Sequence, residues 1–239
     1  MRLDRLISQY LQCGRKAARD KLRSRLVRVN GHIECNSSRL IERFDHVSLG
    51  DNAIQALSPR YLALHKPRGY VSATTDSEHS TVIDLINEPW ADQLHLAGRL
   101  DRYTTGLVIL TNDSHFSESL TQPESKIPKI YCVQTDIPIT EEAVTAFKAG
   151  MPFAKEGICT QPAEVQWSPE NSPRSCTLTI FEGKHHQVKR MFARFGIKVI
   201  RLHREAIGTI SLDNLKEGDY RALSDVEVSA ALEDRKETL

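Results

Sequence analysis

The residues best suited to chemistry fall in two polar stretches and at the start of one strand. The first stretch is Gly98-Arg99-Leu100-Asp101-Arg102-Tyr103-Thr104-Thr105-Gly106, which runs directly into the apolar Leu107–Leu110. A carboxylate here sits in a polar turn beside arginines, just ahead of a strand apolar enough to be buried on both faces. An aspartate anchored in that way suits a nucleophile or a base. The competing reading is an aspartate that caps its own turn, and spacing alone leaves both open. The second stretch runs from Phe181 to Phe192 as FEGKHHQVKRMF. Val188, Met191, Phe192 and Phe195 recur at i, i+3, i+4 and i+7, the buried stripe of a helix, with Lys189, Arg190 and Arg194 emerging beside it. His185, His186 and His203 raise the question of a metal. Adjacent residues do not share a helix face, however, and no carboxylate or thiol motif joins them, so no metal site is expected. Third comes Lys129-Ile130-Tyr131, an aromatic following a cation into a strand: a core tyrosine, or a platform for a base.

These residues need a scaffold, and the patterning supplies one. Leu3, Leu6, Ile7, Tyr10 and Leu11 mark a short amphipathic helix. A second helix spans Arg15 to Arg23, with Arg15, Arg19 and Arg23 on one face, Lys16 beside it, and Ala17, Ala18 and Leu22 facing inward. Asn30-Gly31 between Leu26–Val29 and His32–Glu34 signals a hairpin, because both turn residues need positive φ. A composition change near Gly50-Asp51-Asn52 and Ser58-Pro59 suggests a linker. Beyond it, strand-length runs (Tyr61–Leu64, Leu107–Leu110, Ile130–Val133, Cys176–Phe181, Val199–Leu202) alternate irregularly with helical patterns near Thr81–Ile86, Ser114–Leu120, Glu141–Lys148 and His186–Phe195. With no βα repetition and no GxGxxG, a mixed α+β domain with a largely antiparallel sheet is expected. The expected divisions are a module over 1–48, a linker over 49–59, a catalytic domain over 60–232 and an acidic tail over 233–239.

The chain has 239 residues, 40% hydrophobic and 26% charged. That is enough apolar material for a core, which excludes a disordered chain. No uninterrupted apolar run exceeds four residues, where a spanning helix needs about 20. MRLDRLISQYLQ carries charges where a signal peptide needs its apolar stretch. Five widely spaced cysteines without a CxxC pair fit reduced thiols. The expectation is a cytoplasmic monomer. The net charge of +1 conceals an uneven distribution: residues 1–50 hold 11 basic and 5 acidic side chains, and Gly183–Arg204 holds seven Lys or Arg and no carboxylate. Separated charge of this kind attracts a polyanion to a nearly neutral molecule.

GRLDRYTTGLVILTND, the KIY segment, EGKHHQVKRMFARFG and HKPRGYV together resemble the motif set of the ribosomal RNA pseudouridine synthases, in the family's order from Met1 to about Leu223. Residues 1–50 are similar to the S4-type RNA-binding module that this family carries. The resemblance implies Asp101 as the catalytic aspartate, Tyr131 stacked on the target uracil, Lys189 paired with the aspartate, and Arg99 bracing the space left by a flipped nucleotide. It implies that Arg15, Lys16, Arg19, Arg23 and Arg190 contact RNA, and that neither metal nor cofactor is required. The MRLD start, EHSTVIDLINEP and LHREAIGTISL resemble the members acting on the small subunit. That implies uridine 516 of 16S rRNA as target, in free RNA or a partly assembled subunit. A large-subunit (23S) target and a non-catalytic assembly factor are the alternatives. Two positions depart from the pattern: Arg25, where the module commonly has glycine, and His65, where the family commonly has asparagine.

Overall fold

A computed structural model describes residues 1–153 and 157–233. The chain divides into two compact units, Met1–Pro59 and Arg60–Leu239. The first contains α1 (Leu3–Tyr10), α2 (Arg15–Arg23), β1 (Val27–Val29), β2 (His32–Ile33), β3 (Val47–Leu49) and β4 (Asn52–Gln55). Its strands form one sheet in the order β2-β1-β3-β4, and the helices close over it with Leu3, Ile7, Ala18, Leu22, Val27 and Val47 buried between them. Asn30 and Gly31 take φ of 52° and 82°, the paired left-handed conformation that a two-residue hairpin requires. Arg25 is left-handed at φ 62°, a conformation costing an L-residue roughly 1–2 kcal/mol.

Three expectations are corrected here. Ala17 is exposed, not inward, because only Ala18 and Leu22 fall on the stripe of α2 that meets the sheet. The segment expected as a linker contains β4, antiparallel to β3; Gly50-Asp51 is the hairpin turn between them, and turn residues read as a linker in composition. The helix expected near Thr81–Ile86 is a single 3₁₀ turn, Ile83–Leu85. The acidic tail beyond Glu233 lies outside the described residues.

The second unit contains β5 (Tyr61–Lys66), β6 (His95–Ala97), β7 (Thr105–Thr111), α3 (Ser114–Thr121), β8 (Lys129–Thr135), α4 (Glu141–Ala149), β9 (Pro152–Phe153), β10 (Ile158–Cys159), β11 (Glu164–Gln166), β12 (Ser175–Ile180), α5 (Gln187–Ala193), β13 (Val199–Ile207), β14 (Ile210–Ser211), β15 (Tyr220–Ala222) and α6 (Asp225–Glu233). The main sheet runs β11-β12-β8-β13-β7-β5-β15, with β14 on β13 and β6 on β7. Its ladders are antiparallel except β13 with β7, a parallel pair limited to His203↔Thr105 and Arg204↔Gly106. The largely antiparallel α+β expectation therefore holds.

The apolar run of β7 is buried on both faces, as its composition implies. Val108 and Leu110 join one core with Tyr131, Leu178, Phe147 and Phe192. Leu107 and Ile109 join a second with Phe116, Leu120 and Ile207. Period-two alternation thus splits one strand between two cores and fixes its register, since a slip by one residue would send every side chain to the wrong core. Helix α3 begins at Asp113, whose carboxylate accepts from the backbone N–H of His115 and Phe116, the usual satisfaction of orphan donors at a helix start. No helix among the described residues is long and apolar enough to cross a membrane.

Candidate active site

Asp101 is the first residue of a tight turn closed by Thr104 N–H donating to Asp101 O at 3.0 Å. The backbone on either side is fixed by residues distant in sequence. Ser72 Oγ donates to Leu100 O at 2.8 Å and accepts from Leu100 N–H at 3.0 Å. Gly69 N–H donates to Arg102 O at 2.9 Å. Lys66, fully buried at the end of β5, donates from Nζ to Pro67 O at 2.9 Å, Arg102 O at 3.0 Å and Thr104 O at 2.8 Å. One ammonium therefore fills its three donor positions with carbonyls on both sides of the turn. Burial pushes Lys66 down to about 8, against the opposing pull of the Asp101 charge.

The Asp101 side chain points away from its own turn. Oδ2 accepts from Lys189 Nζ at 2.6 Å, and Oδ1 lies 3.2 Å from His186 Nε2. Both partners come from the start of α5, where His186 is left-handed at φ 51°. That segment is braced by buried Glu182, which accepts from Gln187 Nε2 at 2.8 Å and from Gln161 N–H at 2.9 Å and also pairs with Lys184. The carboxylate thus bonds to side chains of α5 and its start, not to the backbone of its own turn.

Asp101, Arg99, Tyr131 and Lys189 line one cavity of about 310 Å³, at the lower end of the size range of small-ligand sites. Tyr131, on β8, is buried, and its hydroxyl is 3.4 Å from Arg204 Nη1. Arg204, on β13, donates from Nε to Leu107 O at 2.8 Å and is only 3% exposed. Its Nη2 and the hydroxyl of Thr104 are buried without a hydrogen-bond partner among the described residues, and both residues line the cavity. Lys129 lines it too and is pushed down to about 8 by burial and then by the Arg204 charge. Gly106 makes room for this arrangement. At φ 111° it brings β7 against β13 so closely that a Cβ would lie 2.2 Å from Arg204 O.

The remaining expected residues lie elsewhere. Arg190 stacks over Phe153, 3.8 Å from the ring centroid, outside the cavity lining. Arg15, Lys16, Arg19 and Arg23 are exposed on α2 of the first unit. Arg19 there pairs with Asp4 at 3.2 Å and Arg23 with Asp20 at 3.1 Å. His65 has a bond of its own, Nδ1 to Leu215 O at 2.8 Å. No group of three or more metal-ligating side chains occurs among the described residues. Sequence reasoning named Lys129 only as the cation ahead of Tyr131 and singled out neither Lys66, Glu182 nor Arg204 for the site. Of those three, only Lys66 carried a signal, a lysine ending an apolar strand run within the HKPRGYV motif.

Residues 60–194 match the family described as RNA pseudouridylate synthase, and the chain belongs to that family: it is an isomerase acting on RNA. It is 44% identical, over 95% of its length and 99% of the relative's, to a Pseudomonas aeruginosa protein named ribosomal small subunit pseudouridine synthase A. An Escherichia coli protein of the same name is 40% identical over 97% of this chain and all of its own. A crystal structure described as that of a pseudouridylate synthase superposes with a TM-score of 0.69 at 34% identity, covering 97% of this chain and 99% of that one.

Proposed function

We propose that this protein converts one uridine of small-subunit ribosomal RNA, uridine 516 of 16S rRNA, to pseudouridine, with Asp101 as the catalytic residue. The observation that carries the chemistry is the Asp101 carboxylate held by Lys189 and His186 at the wall of a cavity containing Tyr131. The choice of small-subunit RNA rests on likeness to the two named relatives along almost the whole chain.

A uridine inside folded RNA must leave its stack before its glycosidic bond can be remade, at a cost of a few kcal/mol. The Tyr131 ring and the Arg99 guanidinium offset part of this, stacking being worth about 1–3 kcal/mol per base. Arg204 and Thr104 line the cavity, and a hydrogen bond between the uracil edge and Arg204 Nη2 or the Thr104 hydroxyl would satisfy a buried group that otherwise has no partner among the described residues. Asp101 then acts on base or sugar, the C1′–N1 bond breaks, the uracil turns and a C1′–C5 bond forms. C5 loses its proton and N1 gains one. Formula and oxidation state are unchanged, so the reaction needs no redox cofactor. The first unit acts as the S4-type module holding the RNA, the protein working as a cytoplasmic monomer on free RNA or a partly assembled subunit.

Carbodiimide-based primer extension on 16S and 23S rRNA, free and in partly assembled subunits, tests this. A single enzyme-dependent stop in 16S is expected. A stop only in 23S would overturn the substrate, and no stop with RNA binding intact would favour an assembly factor. Replacing Arg15 and Lys16 by alanine is expected to weaken RNA binding and flatten its salt dependence, by about one unit of slope for each phosphate no longer neutralised. Titrations at several salt concentrations measure this, and an unchanged slope would remove α2 from the RNA interface.

A further inference from the structure

Tyr103 and the arginines beside it have no part in the chemistry above. The tyrosine is 58% exposed and belongs to none of the apolar clusters, so the fold does not depend on it. It is the third residue of the Asp101–Thr104 turn. The guanidinium groups of Arg68 and Arg102 each lie 5.4 Å from its ring centroid. Arg102 is pinned at its far end, donating from Nε to Gly69 O at 3.1 Å, with Nη1 2.7 Å from His79 Nε2. Neither guanidinium forms a close ion pair among the described residues, and the Arg102 charge acts at longer range on Asp76, whose carboxyl is held down by backbone hydrogen bonds and then by this charge. A single exposed aromatic needs no explanation. An exposed π face flanked by two cations, one of them immobilised, matches an unstacked base and its phosphates.

We propose that Tyr103, with Arg68 and Arg102, is a stacking platform for an unpaired base of the substrate RNA next to the target uridine. Tyr103 is two positions along the chain from Asp101, a backbone span of at most about 7 Å, which confines the platform to the nucleotides adjoining the extruded one. The inference rests on the proposed rRNA substrate. The platform contributes to holding the RNA and not to bond making, so its loss falls on KM.

The test is steady-state modification of 16S rRNA carrying either the native neighbours of the target or an abasic residue at the 5′ or the 3′ neighbour. On intact RNA, Tyr103→Ala is expected to raise KM by about 5- to 100-fold with little change in kcat. Tyr103→Phe, which keeps the π face, restores the low KM. On one of the two abasic RNAs, wild-type and Tyr103→Ala proteins should have equal KM, the signature of a shared interaction in a double-mutant cycle. Thermal unfolding of Tyr103→Ala should match wild type. A KM for Tyr103→Ala within about twofold of wild type, or a loss that persists in full on both abasic RNAs, would overturn the platform alone. Failure of the wild-type protein to modify intact 16S rRNA would overturn the proposed substrate and the platform with it.

Discussion

Asp101→Asn is expected to lower pseudouridine formation by more than about 10³-fold, with RNA affinity and thermal unfolding close to wild type. Asparagine keeps the size of the side chain and removes its charge and its capacity to act as nucleophile or base. The turn should survive, because it is held through backbone atoms: Thr104 N–H to Asp101 O, Ser72 to Leu100 and Lys66 to Arg102 and Thr104. Lys189 loses its anionic partner, but its side chain is 35% exposed and stays solvated, so the cost to the fold is small. Single-turnover modification, with filter binding and an unfolding curve on the same preparation, separates the effects. Residual modification within about tenfold of wild type would show that the carboxylate does not do the chemistry.

Lys66→Met should damage both stability and activity. The substitution preserves an apolar stem but leaves three carbonyls around the Asp101 turn without their common donor, a loss on the order of 3–5 kcal/mol. Chemical denaturation should show it directly, and unfolding indistinguishable from wild type would refute the clamp. In the wild-type protein the same group predicts a divergence with pH. Folding lowers Lys66 from its ordinary 10.5 to about 8. Between those values the unfolded chain retains a proton that the folded chain has released. The contribution of Lys66 to stability therefore rises with pH across this window. The neutral amine has only two donors for three carbonyls, so the turn is held less firmly and the modification rate should fall above pH 8. Lys129 titrates near the same pH, and a Lys129→Gln background isolates the Lys66 component. A rate that stays flat from pH 7 to 9.5 in that background would count against Lys66 as the group positioning the turn.

What the sequence disclosed about this site follows from the range of the interactions involved. Asp101, Tyr131 and Lys189 stand in local patterns whose residue types suggest roles, and the structure places all three around one cavity. Strands such as β7 and β8 and the hairpin at Asn30-Gly31 were legible because alternation and turn chemistry are properties of neighbouring residues. Lys66 is different, because its acceptors at Arg102 and Thr104 are 36 and 38 residues away, and no local pattern states that distance. Arg204 reads as one more cation in a basic stretch until β13 is laid parallel to β7. The β4 strand was hidden because Gly50-Asp51 serves equally well as the end of a module and as a hairpin turn. Arg190, which the resemblance implies as an RNA contact, has its guanidinium over the ring of Phe153, a contact between distant segments that no local pattern states.

The two-position parallel ladder between β13 and β7 also fixes when the enzyme becomes competent during synthesis. Thr105 and His203, which face each other there, are 98 residues apart. A nascent chain can form the β5–β7 ladder early, since that pairing is comparatively local. The Arg204 wall of the cavity arrives only with β13. Closing so long a loop costs entropy that the two pairs cannot repay until β8 has also docked against β13. The Asp101 turn is made first and waits for its partners, so a chain released before Arg204 retains Asp101 but lacks the β13 wall of the cavity.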